Sequence, residues 1–112
     1  MWFTASLLFN GIHDMPATPP SLWEEVVVLI SAESEEAAKS AAEVLGRRRE
    51  HEYQVVSPFP HLLKWQFSQV ERVCQIEDSV LVHGAELFTR FLRASEVTSL
   101  LTPFEEQRAH IR

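Results

Sequence analysis

From Leu22 to Ala32 the chain carries apolar, mostly β-branched side chains on both parities, with Val26, Val28 and Ile30 alternating with Val27 and Leu29. Such a run suits a strand covered on both faces, which predicts a strand placed centrally in a sheet. The aliphatic stretch itself, Val26 to Ile30, is far shorter than the roughly 20 residues that cross a bilayer, so no membrane partner is expected. Two residues later Ser34 is placed to cap a helix, and Glu35 and Glu36 put negative charge at its positive end. Ala38, Ala41, Ala42 and Leu45 then recur on one helical stripe, small enough to lie close to a sheet. Lys39 and Glu43 fall on a more exposed flank, Gly46 marks the helix end or a weak point just before it, and Arg47 to Arg49 sit where cations meet the negative pole of the dipole.

The flanking segments read as strands. Phe3, Ala5, Leu7 and Phe9 share one face of a strand from Met1 to Phe9, with Trp2, Thr4, Ser6 and Leu8 on the other. Asn10 to Ser21, with Gly11, Pro16, Pro19 and Pro20, is expected to be a long loop. Glu52 to Val56 predicts a short strand, and Leu62 to Ile76 a longer one. Within the latter, Trp65 and Phe67 have the opposite parity to Val70, Cys74 and Ile76, which predicts a bulge or a change of covered face near Ser68. A turn at Glu77 and Asp78 and Gly84 after His83 precede a last strand from Ala85 to Arg93. Ser95 is expected to cap a short helix carrying Val97, Leu100 and Leu101, interrupted by Pro103. Thr102, Pro103, Phe104 and Glu105 form the signal for a further terminal helix. The expected fold is therefore α+β: a single, mainly antiparallel sheet of about five strands, one main helix packed on a face, and short C-terminal helices. Residues 1–94 form the compact domain and 95–112 its helical extension.

At 112 residues and 46% hydrophobic content, one core is affordable and two domains would be crowded. The formal charge of −6 repels phosphate backbones and anionic lipid at long range, so nucleic acid is not an expected partner. Cys74 is alone, which suits a reducing, cytoplasmic setting, and no signal peptide is expected because no basic segment precedes the first apolar residues.

Trp2-Phe3, the strand Leu22-Trp23-Glu24-Glu25-Val26-Val27-Val28-Leu29-Ile30, the alanine- and glutamate-rich helix, Tyr53-Gln54-Val55, Trp65-Gln66-Phe67 and His83-Gly84-Ala85-Glu86-Leu87-Phe88 together resemble the bacterial domain of unknown function 4288 family. The resemblance spans about residues 2 to 93 and rests on strand patterns. It implies the fold and a bacterial context, and it supplies no reaction or catalytic residue.

No set of residues demands a chemistry, and no catalytic residue, metal site or cofactor is assigned. His13 and Asp14 could polarise a water, but neighbours in a loop are more often solvated. His51, His61 and His83 lack ligand spacing. Cys74 on a patterned strand packs as a small apolar residue. Glu86 follows Gly84 at a strand start, within reach of balance by Arg90. Glu24 and Glu25 point apart as strand neighbours, so one faces the helix layer unless the strand begins later, and the pair alone is no active site. Trp2, Trp23 and Trp65 read as core first, and as an interface where exposed. Arg47 to Arg49 sit beside Glu43, Glu50 and Glu52 in a mixed-charge surface.

Three function classes follow. The first is a non-enzymatic protein-binding module contacting its partner through Trp2, Trp23, Glu24, Glu25, Leu100, Leu101 and Phe104, for example a cytoplasmic immunity protein whose acidic surface occludes a toxin. The second is a small-ligand sensor or small enzyme with a pocket formed by His13, Asp14, His83 and Glu86 near the proline-rich loop. The third is a homo-oligomeric subunit joined by its C-terminal apolar stripe.

Overall fold

The computed structural model describes residues 1–14, 22–56, 60–77 and 81–102. The proline-rich stretch 15–21, and the terminal helix expected from Pro103 with Phe104, lie outside them.

Period-2 alternation and helical capping build the first half as expected. Strand β1 (Trp2–His13) and strand β2 (Trp23–Ser31) pair antiparallel, Phe3 opposite Ile30 and Phe9 opposite Glu24. Helix α1 (Glu35–Arg48) follows, its first turn closed by the Ala37 N–H donating to Ser34 Oγ at 3.1 Å. Strands β3 (His51–Val55) and β4 (His61–Gln75) complete one antiparallel sheet in the order β2-β1-β4-β3, and helix α2 (Ala94–Leu101) comes last.

The core lies between α1 and one face of this sheet. Phe3, Ala5, Leu7 and Phe9 are buried there, beneath Ala38 and Ala42, with Ile30, Leu63 and Trp65 around them. Each fully buried Phe or Leu contributes about 1.5–3 kcal/mol, so this one face of β1 dominates the stability of the fold. Gly46 ends the helical stripe of small residues. It is not a terminus, because the helix runs on to Arg48; it is the point where the Phe67 ring lies directly against the helix backbone.

Four expectations change. The strand expected to end at Phe9 continues through Asn10 and Gly11 to His13, because β4 pairs with it along its whole length. Strand β2, expected at the centre, is an edge strand: among the described residues it pairs with β1 alone, and Val27 and Leu29 are 59% and 45% exposed. Among the described residues the sheet has four strands rather than about five, since Ala85–Arg93 forms no ladder. Finally, Arg93 rather than Ser95 caps α2, with Glu96 Oε1 accepting from the Arg93 N–H and Nε, both at 3.0 Å.

The irregular segment 85–89 has a definite place. Thr4 Oγ1 donates to the Leu87 carbonyl at 2.9 Å, and Arg72 Nη1 donates to the Thr89 carbonyl at 3.3 Å. The Arg72 guanidinium also lies over the Phe88 ring, 5.1 Å from its centroid. These contacts lay the segment across the sheet face opposite α1, which helps bury Thr4 and Ser6. The same face carries Val27 and Leu29 on β2, and there it stays open. Two register irregularities in β4, at Ser68 and Glu71, bring Phe67, Val70 and Val73 onto the helix side. The first is the bulge expected near Ser68.

Candidate functional site

The outward face of β2 begins at Trp23 and runs through Glu25 and Val27 to Leu29, since these residues lie opposite Asn10, Leu8, Ser6 and Thr4 of β1. Strand alternation sends Glu24 to the α1 side, opposite Phe9, and Glu25 to the open side, where its carboxylate accepts from Ser6 Oγ at 2.5 Å. Both glutamates are exposed, as is Trp23. Beside Trp23 is a small open pocket lined also by Asn10, Gln66, Phe67 and Ser68. Asn10 Oδ1 is out of contact with solvent there and has no hydrogen-bond partner among the described residues. A long apolar edge strand with exposed valine and leucine is a surface that proteins ordinarily cover or charge.

Trp2 is also exposed on this face, but at the opposite end of β1 from Trp23. Eight residue steps separate Trp2 from the Asn10 that pairs Trp23, roughly 26 Å along the strand. They cannot form one aromatic surface. Trp65 is in the core, its Nε1–H donating to Tyr53 Oη at 3.3 Å.

The last apolar candidates stand elsewhere. Leu100 and Leu101 lie on α2, which packs against none of the other elements, and every residue from Phe91 to Thr102 is exposed. Phe91 is fully so and Leu101 is 78% exposed. The Cα radius of gyration, 17.1 Å, exceeds the roughly 13 Å of a compact chain of this length, as an outlying arm requires.

The pocket expected from His13, Asp14, His83 and Glu86 does not assemble. His13, at the end of β1, has Nδ1 2.8 Å from Nε2 of His61, and the Asp14 N–H donates to the Leu62 carbonyl. His83 and Glu86 belong to the other end of the sheet, where the turn at Gly84 leads into the Leu87 contact with Thr4. From Thr4 to His13 is nine strand residues, roughly 30 Å. Gly84 has φ of 85°, a conformation open to glycine and strained for other residues, so its role is the turn itself. The His13–His61 pair was hidden from sequence reasoning by a separation of 48 residues. The imidazole pair joins the end of β1 to the start of β4, beside the Asp14 N–H to Leu62 carbonyl bond. Among the described residues no group of three or more His, Cys, Asp or Glu is placed to hold a metal ion. An open groove of about 340 Å³ beside the start of α1, lined by Glu35, Glu36, Lys39 and Arg72 among others, presents mixed charge and no nucleophile. No described helix is long and apolar enough to cross a membrane.

Fold and surface thus define a small α+β protein with one covered sheet face, one partly open face and an unpacked C-terminal helix. The chain belongs to the family described as Domain of unknown function (DUF4288), whose model matches residues 2–89. The match includes β2 and its open face and ends before α2. No curated protein and no solved structure matches the chain.

Proposed function

We propose that this protein is a non-enzymatic protein-binding module that docks its partner on the open face of β2. The observation that carries the reading is the exposure of Trp23, Val27 and Leu29 on one side of an edge strand whose outer backbone edge pairs with no described residue. A partner gains hydrophobic burial from those side chains and main-chain hydrogen bonds from the edge, the combination used in strand addition. The distance of His13 and Asp14 from His83 and Glu86 along the sheet makes one pocket enclosing all four the weaker reading.

A narrower form of this reading is an immunity protein that occludes a basic toxin site. It is favoured by the exposed carboxylates of Glu24, Glu25, Glu33, Glu35 and Glu36, which follow one another along β2 and into α1 on a chain of net charge −6. Complementary charge speeds encounter and rejects partners of like sign. The test is co-expression with the products of the neighbouring genes, using the natural chain and the double variant Val27→Glu, Leu29→Glu. A stoichiometric complex that the double variant loses is expected. Failure of any neighbour to bind rejects the immunity reading, and binding that ignores the double variant rejects the docking face.

A further inference from the structure

We infer that the occupant of the open β2 face is α2 of a second copy of this chain, exchanged reciprocally in a two-fold dimer. This rests on the reading of that face as a protein-docking surface and names what docks there. Three observations converge on it.

First, the chain carries both halves of the contact. Val97, Leu100 and Leu101 recur at the i, i+3, i+4 spacing of one helical stripe and Phe91 leads into it; all four are exposed, and α2 contacts no other described element. Val27 and Leu29 offer an exposed apolar strip of matching character on β2. The arm leaves the sheet just after the ties at Leu87 and Thr89, and the Arg93–Glu96 cap fixes the first turn of its helix.

Second, the charges match. Arg90 lies at the base of the arm, and the exposed carboxylate of Glu25 lies beside the apolar strip at the Trp23 end of β2, whereas Glu24 faces α1 and Arg93 is engaged by Glu96. An arm seated on a second copy brings Arg90 toward Glu25, and two arms do so twice by symmetry.

Third, the area suffices. The four apolar side chains of one arm offer on the order of 400 Å² and the half-exposed Trp23, Val27 and Leu29 of one face roughly 300 Å², so two arms against two faces bury about 1,400 Å², within the range of specific stable interfaces. A membrane surface is the weaker occupant, because an interfacial helix needs Lys or Arg along its polar face and α2 presents Ser95, Glu96, Thr98 and Ser99 there.

The experiment is light scattering coupled to size-exclusion chromatography on the full chain, over a roughly hundredfold range of concentration. The natural protein is expected to have twice the 12.9 kDa chain mass. The arm variant Leu100→Glu, Leu101→Glu is expected to be monomeric yet folded, with the sheet and α1 intact by circular dichroism and a Tm lowered only by the lost association, since α2 packs against no other described element. The face variant Val27→Glu, Leu29→Glu is also expected to be monomeric. An equimolar mixture of the two variants is expected to regain a weak dimer, because it pairs one intact arm with one intact face. A natural chain that is monomeric throughout, or an arm variant that stays dimeric, overturns the inference. If the chain is monomeric yet a different protein binds it and is lost from the face variant, the exchange is wrong and the docking face stands.

Discussion

Replacing Gly46 by alanine sets two effects of known sign against each other. In a solvated helix interior the change stabilises by about 1 kcal/mol, because alanine loses less backbone freedom on folding. Here a Cβ at position 46 would fall on the ring of Phe67, with Cζ only 2.7 Å away and two further ring carbons closer still. The ring has little room to retreat, since its far side meets Phe9 edge-on at 5.7 Å between centroids and Phe9 is itself buried. Forcing an extra methyl into such a contact costs about 1–3 kcal/mol, and three ring carbons within contact distance place this case at the upper end. The net expectation is a loss of about 2 kcal/mol, or roughly 8 °C in Tm for a chain of this size. Urea and thermal unfolding at one fixed protein concentration measure it. The control is the same substitution in a Phe67→Leu background, where the smaller side chain leaves space. There Gly46→Ala is expected to be neutral or to stabilise by up to about 1 kcal/mol, the propensity gain alone. A Gly46→Ala chain that is more stable than the natural one refutes the close approach of helix and ring.

Other outcomes follow from local contacts. Ser34→Ala removes the acceptor of the Ala37 N–H and is expected to cost about 1 kcal/mol in urea unfolding, while Ser34→Asp keeps the cap and most of the stability. The backbone and side-chain hydrogen bonds from Arg93 hold the Glu96 carboxyl below its ordinary value of 4.5. A group depressed in the folded state contributes fully above its unfolded value and loses that contribution as pH falls through the folded one. The first turn of α2 should therefore fray below about pH 4.5, visible in the backbone chemical shifts of residues 94–97, and Glu96→Gln should weaken that dependence. A turn that tightens on acidification would contradict the cap.

The parts of the fold that were legible are those written in local periodicity. The core face of β1 follows from strict alternation at Phe3, Ala5, Leu7 and Phe9, and α1 from a serine cap followed by alanines at helical spacing. The parity break after Phe67 announced the bulge at Ser68. What was misread depended on distant partners. Apolar residues on both parities of β2 suit a covered central strand, yet the layer above Val27 and Leu29 is absent from the described chain, so the same pattern marks an open face. Ala85–Arg93 alternates like a strand, but its carbonyls are taken by Thr4 and Arg72, side chains far away in sequence, and no ladder forms. Glu24 and Glu25 were legible as facing opposite ways; that Ser6 would hold Glu25 was not. The independence of α2 was beyond any local pattern, because the spacing of Val97, Leu100 and Leu101 states that a surface needs covering without stating by which chain.

That question has a direct answer in a mixed sample of methyl-labelled and unlabelled chains, from the nuclear Overhauser effects of the Leu100 and Leu101 methyl groups. Contacts to Val27 and Leu29 that arise only between differently labelled chains are the result expected for arms exchanged across two copies. The same contacts within one chain, or none to β2 at all, would contradict it.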